Sequence, residues 1–347
     1  MAGARIVDLI SRVGPIPFER FMEEALYGEG GFFASSRLRS VKSGDFLTSP
    51  EVSPLFGETL ARFVEAEHDR VGDPFRLVEV GAGSGSLLTS LLAVHPVADT
   101  WAVEVSPAAR EALARLPVRV VADLGDVPAP FRGVIIANEL VDNLPMAMAQ
   151  LTEGGWRERW VGHVAGRLSL VDAPIRPEVA AWIERFSGPV EPGGWVEVQL
   201  DAYAWMGRAV SMLEAGAVVV IDYGDTAEGL APRRRDGTLR TYRAHHMGPH
   251  PLDEPGATDI TADVNFTALE AAAREAGAET ELHRQDDFLA GLGLRDRLSE
   301  LRHRELALAR GGDPVERLKV RSLRTEAETL LHPRGLGDFR VLVARRG

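Results

Sequence analysis

The stretch that most limits how this chain can fold is FRLVEVGAGSGS, residues 75–86. Leu77, Val78 and Val80 make an apolar run that carries Glu79, glycines follow at 81, 83 and 85, and a helix-compatible segment covers 86–94. That succession predicts a buried parallel strand, a tight turn and a helix opening behind it. Glycine suits such a turn because a Cβ would collide with anything brought close to the backbone. The first turn of the helix aims unpaired N–H groups at the same spot.

Two nucleotide cofactors use a turn of this kind. The dinucleotide fingerprint is G-x-G-x-x-G, whereas the glycines here fall as G-x-G-x-G. Glu79 lies two residues before the first glycine, where it would repel a pyrophosphate. S-adenosylmethionine instead presents an ammonium and a sulfonium, both favoured by a nearby acid. Roughly twenty residues past the turn, TWAVEV (100–105) reads as a second strand whose Glu104 is placed to take ribose hydroxyls. The alternative is a glycine-rich turn with no ligand; the two acids favour S-adenosylmethionine.

The chain has 347 residues, 45% hydrophobic and 26% charged, enough for one large core and a smaller addition. A net charge of -12 argues against a broad phosphate-binding surface, so nucleic acid is a poor partner, and it suits a cationic substrate. It leaves a homodimer open. With no cysteine, disulfides and thiolate metal sites are excluded. No apolar run reaches the roughly eighteen residues of a membrane span, and the N-terminus has no signal-peptide block; a cytoplasmic location is expected.

Taken in order, 1–30 reads as helix interrupted by Pro15 and Pro17, and a polar cluster holds Asp45, Thr48, Ser49 and Glu51. Ser49-Pro50-Glu51 is either a plain helix start or part of a cofactor cover, and Ser53 or Pro54 opens the next helix. Strands are expected at 100–104, 117–121, 133–137, 217–221, 279–283 and 339–343, with a helix over 106–116 capped by Ser106-Pro107. Glu79, Glu104, Asp123 and the 138–145 loop all fall at the carboxyl ends of strands, where open α/β sheets bind ligands. Between the fourth and fifth core strands, 151–215 reads as an inserted substrate-side subdomain with a hairpin around 162–166. Residues 225–263 lack periodicity and read as an ordered lid. The expected division is 1–75 as helical cap and cofactor-covering loop, 76–150 and 216–347 as the two halves of the core, and 151–215 as the insertion. The fold class is α/β: a Rossmann-like, seven-stranded, mostly parallel sheet with an antiparallel last strand.

At this point a resemblance enters. GDFLTSPEVSPLFGE (44–58), VEVGAGSGSL (78–87), ANELVDNLP (137–145), VIDYG (220–224), GTLRTYRAHH (237–246) and PGATDITADVNFTAL (255–269) resemble the MidA-like family. This is the family of the mitochondrial complex I assembly methyltransferase and its bacterial relatives. It implies a class I S-adenosylmethionine-dependent methyltransferase, with arginine methylation as the activity of its mitochondrial member. By the same resemblance, Glu79, Gly81, Ala82, Gly83 and Gly85 form the cofactor turn. Glu104 with Val105 holds the ribose, Asp123 and Leu124 flank the adenine, Thr48 and Glu51 fold across the cofactor, and Asn138, Glu139 and Asp142 face the transferred methyl. The chain departs from the family at Leu140, Val141 and Asn143, and at Asp263, where a histidine is common. By the resemblance, both departures lie on the acceptor side.

Carboxylates are natural partners of a planar guanidinium. Glu139 and Asp142 are expected to be that pair, Glu139 orienting the nucleophile and Asp142 assisting or taking a proton, with Asp222 and Asp225 as further candidates. The competing reading has both carboxylates in local caps. No metal is expected: His245, His246 and His250 lack ligand spacing. Arg233–Arg235 reads as a solvated turn, and Trp156, Trp160 and Trp195 either line a pocket or pack the insertion. Three functions stay open: a protein arginine methyltransferase, a small-molecule or peptide methyltransferase, and a non-catalytic assembly module.

Overall fold

The computed structural model describes residues 2–34, 48–243 and 246–347, so Asp45 and His245 lie outside the described residues. Arg76–Val80 is flanked on both sides by parallel strands, Asp99–Val103 and Phe131–Asn138. Among the described residues seven strands form one sheet, in the order Glu279–Arg284, Arg340–Arg346, Leu213–Asp222, Phe131–Asn138, Arg76–Val80, Asp99–Val103, Arg119–Val121. Arg340–Arg346 runs antiparallel to both of its neighbours. The apolar runs are continuous because both faces are covered. Leu77, Val134, Val219 and Val341 pack under the helices Pro54–Val71 and Ser86–Val94, while Val78, Ile135, Val218 and Leu342 pack under Leu200–Ser211 and Phe266–Glu275.

Local chemistry sets the element ends. Ser53 accepts from the N–H of Leu55 at 3.2 Å ahead of Pro54, and Asn265 accepts from Ala268 at 3.2 Å, each satisfying an orphan donor of a helix start. Ser106 departs from expectation. It makes no side-chain cap bond, its own N–H going to Glu104 at 2.7 Å, and the helix Pro107–Leu113 stops short of residue 116. Leu116 bonds back to Leu113 in a tight turn instead, because Pro117 cannot extend a helix.

A second, antiparallel sheet is built from Ala147–Thr152, Gly155–Val164, Arg167–Pro174 and Trp195–Val198. Met148 and Val161 pack against Phe18, Phe21 and Ile10 of the N-terminal helices, and Ala149 and Val196 pack against Trp182 and Phe186. Trp156 and Trp195 join those clusters as packing residues. The following helix, Leu200–Ser211, belongs to the main sheet. Residues 225–263 hold short strands, Arg240–Arg243 pairing with His246–Met247 and with Asp259–Thr261.

Two expectations are corrected here. Arg234 is not solvated: it is buried, its guanidinium 3.2 Å from the equally buried Glu197, and its carbonyl accepts from Trp195. A partner remote in sequence made that burial tolerable. Asp225 is not free for a substrate either, since it pairs with Arg340 at 2.8 Å.

Candidate active site

The strand Arg76–Val80 ends in the glycine turn, where Gly81, Gly83 and Gly85 take φ of 74°, 51° and 82°. These left-handed values are costly for any residue with a Cβ. Gly81, Ala82 and Gly83 line a cavity together with Glu79, Glu104, Val105, Thr48, Glu51, Asn138 and Glu139. Gly85 does not line it; it caps the helix Ser86–Val94, and a Cβ there would meet Leu116 at 2.7 Å. Asp123 and Leu124 line an adjoining cavity that shares Gly81, Val105, Leu140 and Tyr27 with the first. Asp123 also accepts from the N–H of Gly125 at 2.7 Å.

The acids are held in distinct ways. Glu104 accepts from the N–H groups of Gly83 at 2.8 Å and Ser106 at 2.7 Å; burial still pushes its carboxyl up, against those bonds. Glu51 accepts from Ser86 at 2.6 Å and from Ser84, which ties the helix Ser49–Val52 to the glycine turn. Glu79 is buried, and its Oε2 has no hydrogen-bond partner; burial and the charge of Glu104 raise its carboxyl well above the usual range. Asn138 Oδ1 is likewise buried and unpartnered. Bare acceptors are expensive inside a protein, and these two line the same cavity. The donor such a cavity lacks is a cationic or N–H-bearing ligand, as the ammonium of S-adenosylmethionine is.

Glu139 follows the strand Phe131–Asn138 with φ of 51°, a conformation rare outside glycine. Its N–H extends the sheet pairing to Ile221 at 2.8 Å, and its Oε1 accepts from Ser49 at 3.1 Å and Asn138 at 3.4 Å. Burial raises its carboxyl to about 8, with the nearby Asp142 adding to the rise. Asp142 does not join it in the cavity. Its Oδ2 accepts from Thr261 at 2.9 Å and from Tyr223, and burial raises it to about 6. Asp222 is fully buried and accepts from the N–H groups of Val141, Asp142 and Tyr223 at 3.0, 3.2 and 3.0 Å. The expected Glu139–Asp142 pair is therefore split. Glu139 lines the cavity, while Asp142 lies outside it, its Oδ2 held by Tyr223 and Thr261 and its Oδ1 buried without a partner.

A third cavity shares Glu139 and Asn143 with the first and is otherwise lined by Tyr223, Arg233, Arg240, Tyr242, Asp259, Asp263, Arg334 and Asp338, among others. Of the segment 151–215, residues of the helix Leu200–Ser211, among them Tyr203, Trp205 and Arg208, line the second cavity, and none of 151–199 lines the three cavities described. Helices pack on parts of both faces of the second sheet, while the end of its hairpin, with Val164, is exposed. Tyr27 and Phe33, stacked at 5.5 Å, line the first cavity without having been anticipated. Tyr27 donates to the carbonyl of Asn143 at 3.0 Å, and no local spacing links these aromatics to a strand beginning at Arg76. Among the described residues no cluster of three histidines or acids could hold a metal ion.

A seven-stranded sheet with an antiparallel strand inserted next to its edge and acids along its carboxyl rim defines a class I S-adenosylmethionine-dependent methyltransferase. The chain belongs to the MidA-like family of these enzymes, and the model for this S-adenosyl-L-methionine-dependent methyltransferase family matches residues 59–283. It is similar to a Burkholderia thailandensis protein whose crystal structure holds S-adenosyl-homocysteine, at 30% identity and a TM-score of 0.87 over 99% of this chain and 92% of that one. It also resembles the mitochondrial protein arginine methyltransferase NDUFAF7 of Bos taurus (30% identical, over 85% of this chain and 74% of that protein). The Xenopus tropicalis counterpart is 29% identical over 85% of this chain and 76% of its own length. S-adenosylmethionine is thus the cofactor. These curated relatives are mitochondrial proteins, which overturns the expectation of a cytoplasmic location. That expectation rested on missing signals, and a missing signal does not select a compartment. Among the described residues no helix is long and apolar enough to cross a membrane.

Proposed function

We propose that this methyltransferase modifies an arginine side chain of a protein. The observation that carries the reading is Glu139, which belongs to the walls of both the glycine-turn cavity and the neighbouring acceptor cavity. The protein arginine methyltransferase activity of the NDUFAF7 relatives supports the same choice. In this reading Glu79, Gly81, Ala82, Gly83, Glu104, Asn138, Thr48 and Glu51 hold the cofactor, whose bound form supplies an electrophilic methyl on a sulfonium. Asp123 and Leu124 meet its adenine end through the adjoining cavity. Glu139 orients the guanidinium by charge-assisted hydrogen bonds and takes the one proton that must leave when a nitrogen is methylated. Asp142 acts behind the loop, keeping Tyr223 and Thr261 in place. The acceptor wall is formed by the 224–263 segment and the C-terminal region, with the second sheet as a brace.

Purified chain given methyl-labelled S-adenosylmethionine and a cell lysate should place label in the protein fraction, recovered as methylarginine after hydrolysis. Label confined to small molecules would end the arginine reading. A second test addresses the cofactor side. Glu79→Gln should weaken S-adenosylmethionine binding by about ten- to a hundredfold, the worth of one charge-assisted bond, as read by calorimetry. The same change removes an unpartnered buried carboxylate, so the ligand-free protein should melt higher. Unaltered affinity would show that Glu79 does not face the cofactor.

A further inference from the structure

Resting on the arginine reading above, we propose that the acceptor cavity selects arginines accompanied by an aspartate or glutamate on the same peptide, bound by a cationic subsite of Arg233, Arg240 and Arg334. The three guanidinium-bearing residues line the cavity that Glu139 shares with the cofactor side. Arg240 donates to Asp263 Oδ1 at 2.9 Å, and Arg233 donates to Oδ2 of the same carboxylate. Two guanidinium groups therefore share one negative charge. Each uses a single N–H of its five in that contact; the side chains of Arg233 and Arg240 are 40% and 37% exposed, while Asp263 is 2% exposed. Asp263 is fixed from behind, its N–H donating to Thr238 at 3.1 Å.

Arg334 is exposed and has no carboxylate partner among the described residues. The other acids of this wall reduce the imbalance without removing it. Asp338 is taken by Arg284 and by Arg340, while Asp259 accepts from the neutral amide of Asn143 at 2.8 Å and keeps its charge, so three guanidinium groups face two carboxylates, Asp263 and Asp259. Glu139 in the ligand-free protein is largely protonated at neutral pH. The route to Glu139 thus carries a surplus of positive charge, although the chain as a whole is acidic at -12. A bare guanidinium is repelled on that route. One that arrives with a carboxylate nearby in its own chain replaces the repulsion by an ion pair, and the planar fork of arginine suits a carboxylate well.

The test uses the full chain, labelled S-adenosylmethionine and synthetic peptides with one central arginine. Aspartate or glutamate is placed at each neighbouring position in turn and compared with asparagine or glutamine there; a peptide rich in arginine and glycine serves as the basic contrast. The best acidic peptide should exceed its amide twin by about tenfold in kcat/KM, equivalent to ~1.4 kcal/mol, and the gap should narrow as salt screens the pair. In Arg240→Gln the acidic-to-amide ratio should fall towards one. Because that variant strips a partner from buried Asp263 and can lose stability, Arg334→Gln, which breaks no described ion pair, should also lower the ratio severalfold. Arginine methylated equally well in acidic and amide peptides overturns the inference and leaves the arginine reading standing. So does an acidic preference that survives in both variants. No label in any arginine peptide removes the arginine reading, and this inference with it.

Discussion

Glu139→Gln will bind S-adenosylmethionine within a few-fold of the parent protein yet transfer its methyl about 10²- to 10⁴-fold more slowly, the usual worth of a positioned proton acceptor. The amide is the right substitution because its oxygen can still accept from Ser49, the bond that ties the carboxylate to the helix Ser49–Val52 at 3.1 Å. What is lost is the charge that binds a guanidinium and the lone pair that takes its proton. The parent should show kcat/KM rising with pH and levelling off above about 8, where burial places this carboxyl in the free protein. The variant should lack that limb. Stability runs the other way. The folded carboxyl lies at about 8 against an ordinary 4.5, so between those values the folded chain holds a proton that the unfolded chain gives up. Stability conferred by the neutral form is complete below the lower value and is lost as pH rises towards the higher one. Glu139→Gln should therefore be the more stable protein at pH 8. A variant with normal turnover and an unchanged pH profile would remove Glu139 from the chemistry.

The main sheet was legible because its signals are local. The run 76–86 states strand, turn and helix within eleven residues, and the apolar strands that follow can be counted in order. That Glu79 and Glu104 would meet was legible for the same reason: they sit at strand ends, strand ends in such a sheet share a rim, and both line the first cavity. The acceptor side was not, and three residues show why. Arg234 looked like a surface residue in a basic run, and only the distant Glu197 makes its burial tolerable. Asp142 and Glu139 look equivalent at a spacing of three. Yet Tyr223, just past the strand Leu213–Asp222, and Thr261, in Asp259–Thr261, hold Asp142 Oδ2 outside the cavity that Glu139 lines. In each case the deciding partner lies tens of residues away, and a single sequence offers no periodicity that connects them. The second sheet was readable as a hairpin, but the helices that pack on it, carrying Phe18 and Phe21 on one side and Trp182 and Phe186 on the other, have no spacing in the sequence that assigns them to it.

Asp222→Ala is expected to cost the protein roughly 3 kcal/mol or more, a large part of the 5–15 kcal/mol that holds a domain together. The carboxylate is fully buried and is the acceptor for three backbone N–H groups, those of Val141, Asp142 and Tyr223. Alanine reaches none of them, and each orphaned donor costs about 1–3 kcal/mol. Asp222→Asn should be milder: its carbonyl oxygen can keep Val141 and Asp142, while its amide nitrogen meets the N–H of Tyr223 donor to donor. Denaturant midpoints should fall in that order with little change in slope. The effect on turnover follows from the same bonds. Glu139 holds φ of 51° because the strand before it and the loop after it are both anchored to Leu213–Asp222, by Ile221 on one side and Asp222 on the other. Freed from Asp222, the loop can relax Glu139 towards ordinary backbone angles, which withdraws its carboxylate from the place where both cavities need it. Asp222 is thus a positioning residue. Its loss should lower kcat in both variants, with the asparagine form partly rescued, while cofactor binding at low temperature stays near the parent value. An Asp222→Ala protein with the parent's midpoint and turnover would mean that the loop is held by Asn143, through Asp259 and the carbonyl of Ile260, instead.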